Sequence, residues 1–181
     1  MIEVEMKIHL SEKEFLRTKR KLDLISTDKT EKIIDDLYFQ HPCRNFKETD
    51  EALRIRKSNN VILITYKGPK IGKEMKTREE FEFKIEDFEM AKITLERLGF
   101  VPVAHVKKKR TSYKWMDYTI SLGKVEELGT FLEIECEATR EEEVEKKEKK
   151  IKLFLVNKLE IKKIKSIRKS YLELLLEKKR S

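Results

Sequence analysis

Apolar and charged residues alternate one by one at the start of the chain: Ile2, Val4, Met6 and Ile8 share one parity, and Glu3, Glu5 and Lys7 share the other. A period of two predicts a strand with one apolar and one charged face. Ser11 and Glu14 then form a capping-box pair that opens a helix, with Phe15, Leu16, Lys19 and Leu22 as its one-sided stripe and an end near Asp23. Strand-like runs follow at 35–40, 52–57 and 61–67, the last two joined by the turn residues Ser58-Asn59-Asn60. Beyond the break at Gly68-Pro69-Lys70-Ile71-Gly72, the pattern predicts a strand over 76–85 and a helix over 86–98 that Gly99 stops in a left-handed conformation. Strands resume at 101–112, 114–122 and 130–138, with Gly123 and Gly129 as turn points. From Arg140 the pattern becomes a Glu- and Lys-rich helix with Val144, Ile151, Leu155 and Leu159 as its apolar positions, and a final helix carries Tyr171, Leu172, Leu174, Leu175 and Leu176. One antiparallel β domain with helices packed outside it is the economical arrangement.

The same parity recurs in strand after strand. Arg54 and Arg56 oppose Leu53 and Ile55; Thr65 and Lys67 oppose Ile64 and Tyr66; Glu80, Glu82 and Lys84 oppose Phe81, Phe83 and Ile85. Asp117, Thr119 and Ser121 oppose Met116, Tyr118 and Ile120, and Glu133, Glu135 and Glu137 oppose Leu132, Ile134 and Cys136. Lys108, Arg110 and Ser112 share a parity as well, although Lys107, Lys109 and Thr111 blur that strand. Parity alone leaves open whether the charged face looks at water or at a lumen. Runs of like charge two residues apart, as in Arg54/Arg56 and Glu133/Glu135/Glu137, cost energy unless something binds between them. Strands that close on themselves would gather such rows into a cage of carboxylates and cations, suited to a hydrated metal triphosphate.

Composition narrows the picture. Charged residues make up 42% of the 181-residue chain and hydrophobic ones 39%, too apolar and too periodic for disorder. Lys and Glu dominate, Gln40 is the one Gln, and this bias is expected of a thermophilic source. A formal charge of +8 points toward anionic partners. Cys43 and Cys136 lie far apart without neighbouring metal-type ligands, so free thiols are expected. No run of about eighteen apolar residues occurs, so no membrane span and a cytoplasmic location are expected. The acidic-then-basic stretch 141–150 reads as a solvated helix face. No aromatic-flanked basic motif of the single-strand type is present, so nucleic acid is not an expected partner.

These elements together resemble the CYTH superfamily, the triphosphate tunnel metalloenzymes that include class IV adenylyl cyclases and thiamine triphosphatase. Glu3-Val4-Glu5-Met6-Lys7 is similar to the ExExK signature, Leu53-Arg54-Ile55-Arg56 to the paired-Arg strand and Thr65-Tyr66-Lys67-Gly68-Pro69 to the Lys strand after it. Arg78-Glu79-Glu80-Phe81-Glu82 resembles the central acidic strand, Lys108-Lys109-Arg110 the KxR element, and Asp117 with Phe131-Leu132-Glu133-Ile134-Glu135 the late acidic elements. The resemblance runs nearly end to end. It implies a single α+β domain over 1–181, with a closed antiparallel eight-stranded β-barrel of polar lumen over 1–138 and the C-terminal helices of 139–181 packed on or beside it. It further implies that Glu3, Glu5, Glu133 and Glu135 hold Mg²⁺ or Mn²⁺, with Asp117, Glu80 and Glu82 as weaker candidates. Lys7, Arg54, Arg56, Lys67, Lys108 and Arg110 would hold a nucleoside, other organic or inorganic triphosphate, Lys7 also serving as the catalytic group, and a homodimer is implied.

Ser170-Tyr171-Leu172-Glu173-Leu174-Leu175 resembles the SYxELL segment of the class IV cyclase branch, and Tyr38-Phe39-Gln40-His41-Pro42-Cys43 a loop of its archaeal relatives. The branch implies conversion of ATP to cyclic AMP and pyrophosphate. A tunnel triphosphatase uses the same charged residues, and a non-catalytic binder of polyphosphate or RNA 5′ ends is the reading from another class. Trp115 and Phe131 are candidates for lining the substrate base, against core packing at a barrel end.

Overall fold

The structure, a computed structural model, describes residues 2–69 and 79–179, with backbone only for Ile2, Glu3 and Glu141. Within these residues the order is β1 (Ile2–Leu10), α1 (Glu12–Ile25), β2 (Asp28–Gln40), β3 (Ala52–Ser58), β4 (Val61–Lys67), β5 (Glu80–Ile85), α2 (Phe88–Arg97), β6 (Val101–Trp115), β7 (Tyr118–Val125), β8 (Gly129–Ala138), α3 (Glu141–Asn157) and α4 (Tyr171–Lys178). The chain forms two compact units, one from Met1–Lys32 and Lys109–Lys169, the other from Ile33–Lys108 and Ser170–Ser181.

In the first unit β1 pairs antiparallel with β8 along its whole length, and β8 pairs with β7. The register sets Val4 opposite Cys136, Met6 opposite Ile134 and Ile8 opposite Leu132, so these side chains form one apolar face. That face is buried under the helices: Leu22 of α1 and Ile151, Phe154 and Leu155 of α3 join it in one core, with Phe15 packed against its edge. Ser11 and Glu14 form both halves of the predicted capping box at the start of α1. The buried stripe runs through Thr18 and Leu22, while Leu16 is exposed. Every second residue of β1 and β8 therefore points away from the helices, which puts Glu5, Lys7, Glu133 and Glu135 together on the opposite face.

In the second unit β3 and β4 form the predicted hairpin, and Asn59 takes a left-handed φ of 52° at its tip. The apolar parity of β2 and β3 supplies Leu37, Phe39, Leu53 and Ile55 to a separate core, against which Phe88, Ala91 and Leu95 of α2 pack. Asp87 caps α2 through the Met90 N–H, and Gly99 follows its end with φ of 90°. Ser170 and Glu173 close a second capping box on α4, whose Tyr171 and Leu175 are buried.

The expected closed barrel is not what forms. The strand order is β1-β8-β7-β6-β2-β3-β4-β5, an open eight-stranded antiparallel sheet with β1 and β5 at its ends. The outer edge of β1 is already occupied: Ile8 bridges to Ser166, and the Ile167 N–H donates to the Lys7 carbonyl at 2.8 Å. An irregular segment thus takes the backbone groups that closure would need. At the other end, Phe81 and Phe83 of β5 are exposed, and of that parity Ile85 packs with α2. Gly123, expected at a turn, lies inside β7 opposite Phe131; the turn comes later, with Glu127 and Gly129 at positive φ. β2 starts earlier and β6 ends later than predicted, at Asp28 and Trp115. The break at 70–72 and the first residues of the strand predicted at 76–85 lie outside the described residues.

Leu22 is fully buried, whereas Leu24 on the same helix is 85% exposed. Leu22→Ala is predicted to cost about 2–5 kcal/mol in urea unfolding and Leu24→Ala less than about 0.5 kcal/mol. Equal costs would contradict the placement of α1.

Candidate active site

The charged face of the first unit centres on Lys7. Its side chain is buried on β1, and its ammonium lies 3.2 Å from Glu5 and 3.6 Å from Glu133, with the Lys169 carbonyl as a further acceptor at 3.4 Å. Arg110, on β6, donates a short charge-assisted hydrogen bond to the other oxygen of Glu133. Glu135 sits directly opposite Glu5 across the β1–β8 ladder, and Thr119 lies beside it on β7. Ser121, the β7 neighbour of Glu133, is buried and shares a hydrogen bond with Ser112. Two carboxylates facing each other across a ladder repel unless a cation lies between them. The sheet geometry therefore brings Glu5, Lys7, Arg110, Glu133 and Glu135 onto one face, as expected. The side chain of Glu3 lies outside the described residues; its backbone pairs with Glu137, whose side chain is exposed.

The second unit holds a matching group built as rungs across β3, β4 and β5. Arg54 lies opposite Thr65, and Thr65 opposite Glu82. Along that rung the Arg54 Nε donates to the Thr65 hydroxyl at 3.4 Å, and this hydroxyl donates to Glu82 at 2.7 Å. Lys67 pairs with Glu80 at 2.6 Å on the neighbouring rung. On the other side of the Arg54 rung, Arg56 grips Asp36 of β2 with a two-pronged contact, Nε at 2.5 Å and Nη2 at 2.8 Å. Lys108 approaches the same carboxylate at 3.5 Å and rests 5.0 Å above the Tyr171 ring.

Asp36 is fully buried, and burial by itself would push its carboxyl up. The Arg56 hydrogen bond and the charges of Lys108, Arg56 and Arg54 outweigh this and hold it below the ordinary aspartate value. Sequence reasoning missed Asp36, and it singled out Tyr171 only as part of the SYxELL-like segment and not as a partner of Lys108. Their partners become visible only through the β2–β3 register, which places Asp36 opposite Arg56, and through the packing of α4. The Tyr171 contact gives the SYxELL-like segment a structural reason: Ser170 and Glu173 cap the helix, and Tyr171 supports Lys108.

Other expected residues fall elsewhere. Asp117 lies in the β6–β7 turn, paired with Lys147 of α3 at 2.6 Å, apart from the acidic group on β1 and β8. The Lys147 hydrogen bond holds its carboxyl below the usual range. Trp115 stacks against Phe154 and Tyr118 beside the helix-side core, whereas the buried Phe131 shares the parity of Glu133 and Glu135 and meets the His9 ring edge-on at the end of that row. Lys84 is exposed, and Arg78 lies outside the described residues. Cys43 is exposed and Cys136 buried, both as free thiols.

The structure has oxygen donors of the kind a hard divalent cation takes, on adjacent strands of one face. Among the described residues no three acidic, His or Cys groups already meet at metal-holding distance. Lys7 and Arg110 sit instead where such a cation would compete for Glu133. The donor chemistry fits.

An antiparallel sheet with helices on its apolar face and interlocked acidic and basic side chains on the other is the class of structure that these observations define. The chain belongs to the CYTH family, whose domain model matches residues 1–171. This is the triphosphate tunnel metalloenzyme family, which implies a divalent metal. The chain is 42% identical over 177 residues to a Methanocaldococcus jannaschii protein named "Putative adenylate cyclase", covering 96% of this chain and 98% of that one. A Pyrococcus horikoshii structure is 41% identical with a TM-score of 0.78, over 97% of this chain and 99% of that one. A candidate adenylyl cyclase from Hippeastrum, described as having a dominant triphosphatase activity, shares the fold with a TM-score of 0.70 at 19% identity, over 98% and 96% of the two chains. Among the described residues no helix is long and apolar enough to cross a membrane.

Asp36→Asn leaves Arg56 and Lys108 without their shared anion and is predicted to cost about 3–5 kcal/mol at neutral pH. A carboxyl held low when folded stabilises the protein fully above its ordinary value and loses that contribution as pH falls through its lowered value. The gap between the two urea midpoints should therefore narrow as pH falls below the ordinary aspartate value and through the lowered one. A gap independent of pH would contradict this assignment.

Proposed function

We propose that this chain is a divalent-metal-dependent enzyme acting on a triphosphate, first as a class IV adenylyl cyclase-like enzyme that turns ATP into cyclic AMP and pyrophosphate. The observation that carries the proposal is the interlocking of its cations. Lys7, Arg54, Arg56, Lys67, Lys108 and Arg110 all occupy the charged side of their strands, and each is anchored by an acidic side chain. Anchored cations are preorganised for phosphate oxygens and need little rearrangement to receive them. The same-parity carboxylates supply the anionic half. The name of the M. jannaschii relative supports the cyclase reading over the family-level one.

In this reading Arg54 and Arg56 present guanidinium forks, and Lys67, Lys108 and Arg110 add charge for the remaining phosphate oxygens. Glu3, Glu5, Glu133 and Glu135 would hold Mg²⁺ or Mn²⁺, with Glu80 and Glu82 as further candidates. A bound divalent cation neutralises charge that develops on phosphate oxygens. The ribose 3′-oxygen attacks the α-phosphorus, the new P–O bond forms as the α–β anhydride bond breaks, and pyrophosphate leaves with the bonding electrons. The hydroxyl proton passes to solvent. Lys7, buried and oriented by Glu5 and Glu133, is the catalytic candidate, its ammonium donating to the attacking oxygen or the departing phosphate.

Hydrolysis of a nucleoside, thiamine or inorganic triphosphate is the second reading. It is favoured by the helix-side packing of Trp115, which takes one of the two candidate rings away from the charged face and leaves Phe131 as the other. Product analysis with ATP and either metal separates the readings. Cyclic AMP with pyrophosphate supports the first, ADP with phosphate the second. Glu133→Gln and Lys7→Ala are each predicted to lower kcat by about 100-fold or more, and Lys149→Ala to leave it unchanged. Metal-independent turnover, or full activity in Glu133→Gln, contradicts both readings.

A further inference from the structure

The surplus positive charge of this chain is concentrated in one place. Residues 146–169 contain eleven Lys and Arg against two Glu, a surplus of nine, more than the +8 of the whole chain. Lys147 is partly covered by its pair with Asp117, and all the other cations of the segment are exposed. The segment runs from the body of α3 into the irregular stretch that covers the edge of β1. Like charges packed so densely repel, and a polyanion relieves that repulsion by releasing its counterions.

Beside this segment lies a pocket of about 320 Å³ between the β6–β7 turn and α3. Trp115, Met116, Leu153 and Asn157 line it together with Lys150, Lys158 and the carboxylate of Asp117, which Lys147 neutralises. Trp115 is the partly exposed member of a three-ring aromatic cluster: its ring lies 5.8 Å from Tyr118 at an interplanar angle of 12°, and 4.6 Å from Phe154. Met116 and Leu153 are 79% and 60% exposed, and Met116 is held at φ of 52°, which side chains of its bulk rarely adopt. A flat heteroaromatic ring would extend the stack, with the Asn157 amide able to pair with its polar edge.

We propose that the first unit carries a binding surface for single-stranded nucleic acid, in which Trp115 and its pocket take a base while Lys150, Lys158 and the basic segment beyond them neutralise successive phosphates. Single strands fit because a base inside a duplex is not free to stack on a side chain. A lipid surface fits less well, because the main apolar face of α3 is already buried through Ile151, Phe154 and Leu155, and Leu153 and Val156 alone make a small patch to enter a bilayer. Such a partner departs from the expectation drawn from sequence. The chain carries no continuous aromatic-basic motif, but folding sets Trp115 against a basic segment distant in sequence. The proposal stands independently of the triphosphate chemistry.

Trp115 is the chain's one tryptophan, so its fluorescence reports the pocket directly. Oligo(dT) and oligo(U) of about 20 nucleotides are titrated against a duplex of equal length and phosphatidylserine vesicles. Both single strands should quench Trp115, with affinity falling about 50-fold between about 50 and 200 mM salt if about four phosphates are neutralised. Combined Lys150→Glu, Lys158→Glu and Lys162→Glu should weaken single-strand binding at least about tenfold and leave circular dichroism unchanged. If that variant does not fold, protection of wild-type Trp115 from acrylamide by saturating oligo(U) supports the proposal and no protection overturns it. It is also overturned by absence of quenching, by undiminished binding in the folded charge-reversed variant, or by duplex or vesicles binding as tightly as the single strands.

Discussion

Burial of one face of β1 and β8 beneath α1 and α3 is the constraint on which the rest of the first unit depends. Val4, Met6 and Ile8 with Ile134 and Leu132 can enter that core in one register only, because a one-residue slip would carry Glu5, Lys7 and Glu133 into it instead. Burying those charges against aliphatic side chains would cost several kcal/mol apiece. The hydrophobic effect thus fixes the position of the charged row without acting on it. Function is placed by what the other face must do.

The second unit solves a different problem with a buried ion. Asp36 has no exposed surface, so its charge is tolerable only because the Arg56 fork and the Lys108 ammonium meet it. In return it holds both cations in place, and Tyr171 supports Lys108 from the other side. The Arg54–Thr65–Glu82 relay does the same for Arg54 through a neutral hydroxyl. Cations fixed in this way trade ion-pair strength for readiness, since an incoming anion meets guanidinium and ammonium groups that have already lost their conformational freedom.

What sequence made legible follows from where period two is strong. In β1, β3, β4 and β8 one parity is apolar and the other mainly polar or charged, so their faces and most of the candidate cations and carboxylates could be read directly, although Lys7, Thr65 and Glu133 are buried on the polar side as well. The first turn of β2, Asp28 to Lys32, is exposed on both sides and carried no alternation to read. Gly123 looked like a turn because glycine usually breaks strands, yet here it sits opposite Phe131 within the ladder. Asp36 escaped notice because its register with Arg56 is set across the connection 41–51, and no local pattern encodes it. Barrel closure was inferred from family resemblance. The edge of β1 is taken by the Ile8–Ser166 bridge, a contact made by an irregular segment that has no periodicity of its own.

The central claim is that these anchored cations and carboxylates recognise a metal-bound triphosphate in particular. Calorimetric titration of the purified protein with inorganic triphosphate, diphosphate and phosphate, each with and without Mg²⁺, tests it most directly. The account predicts that triphosphate binds at least about tenfold more tightly than diphosphate, a difference of about 1.4 kcal/mol, and that phosphate binds weakest. It also predicts that Mg²⁺ strengthens triphosphate binding. Equal affinity for all three anions, or binding indifferent to the metal, would contradict it.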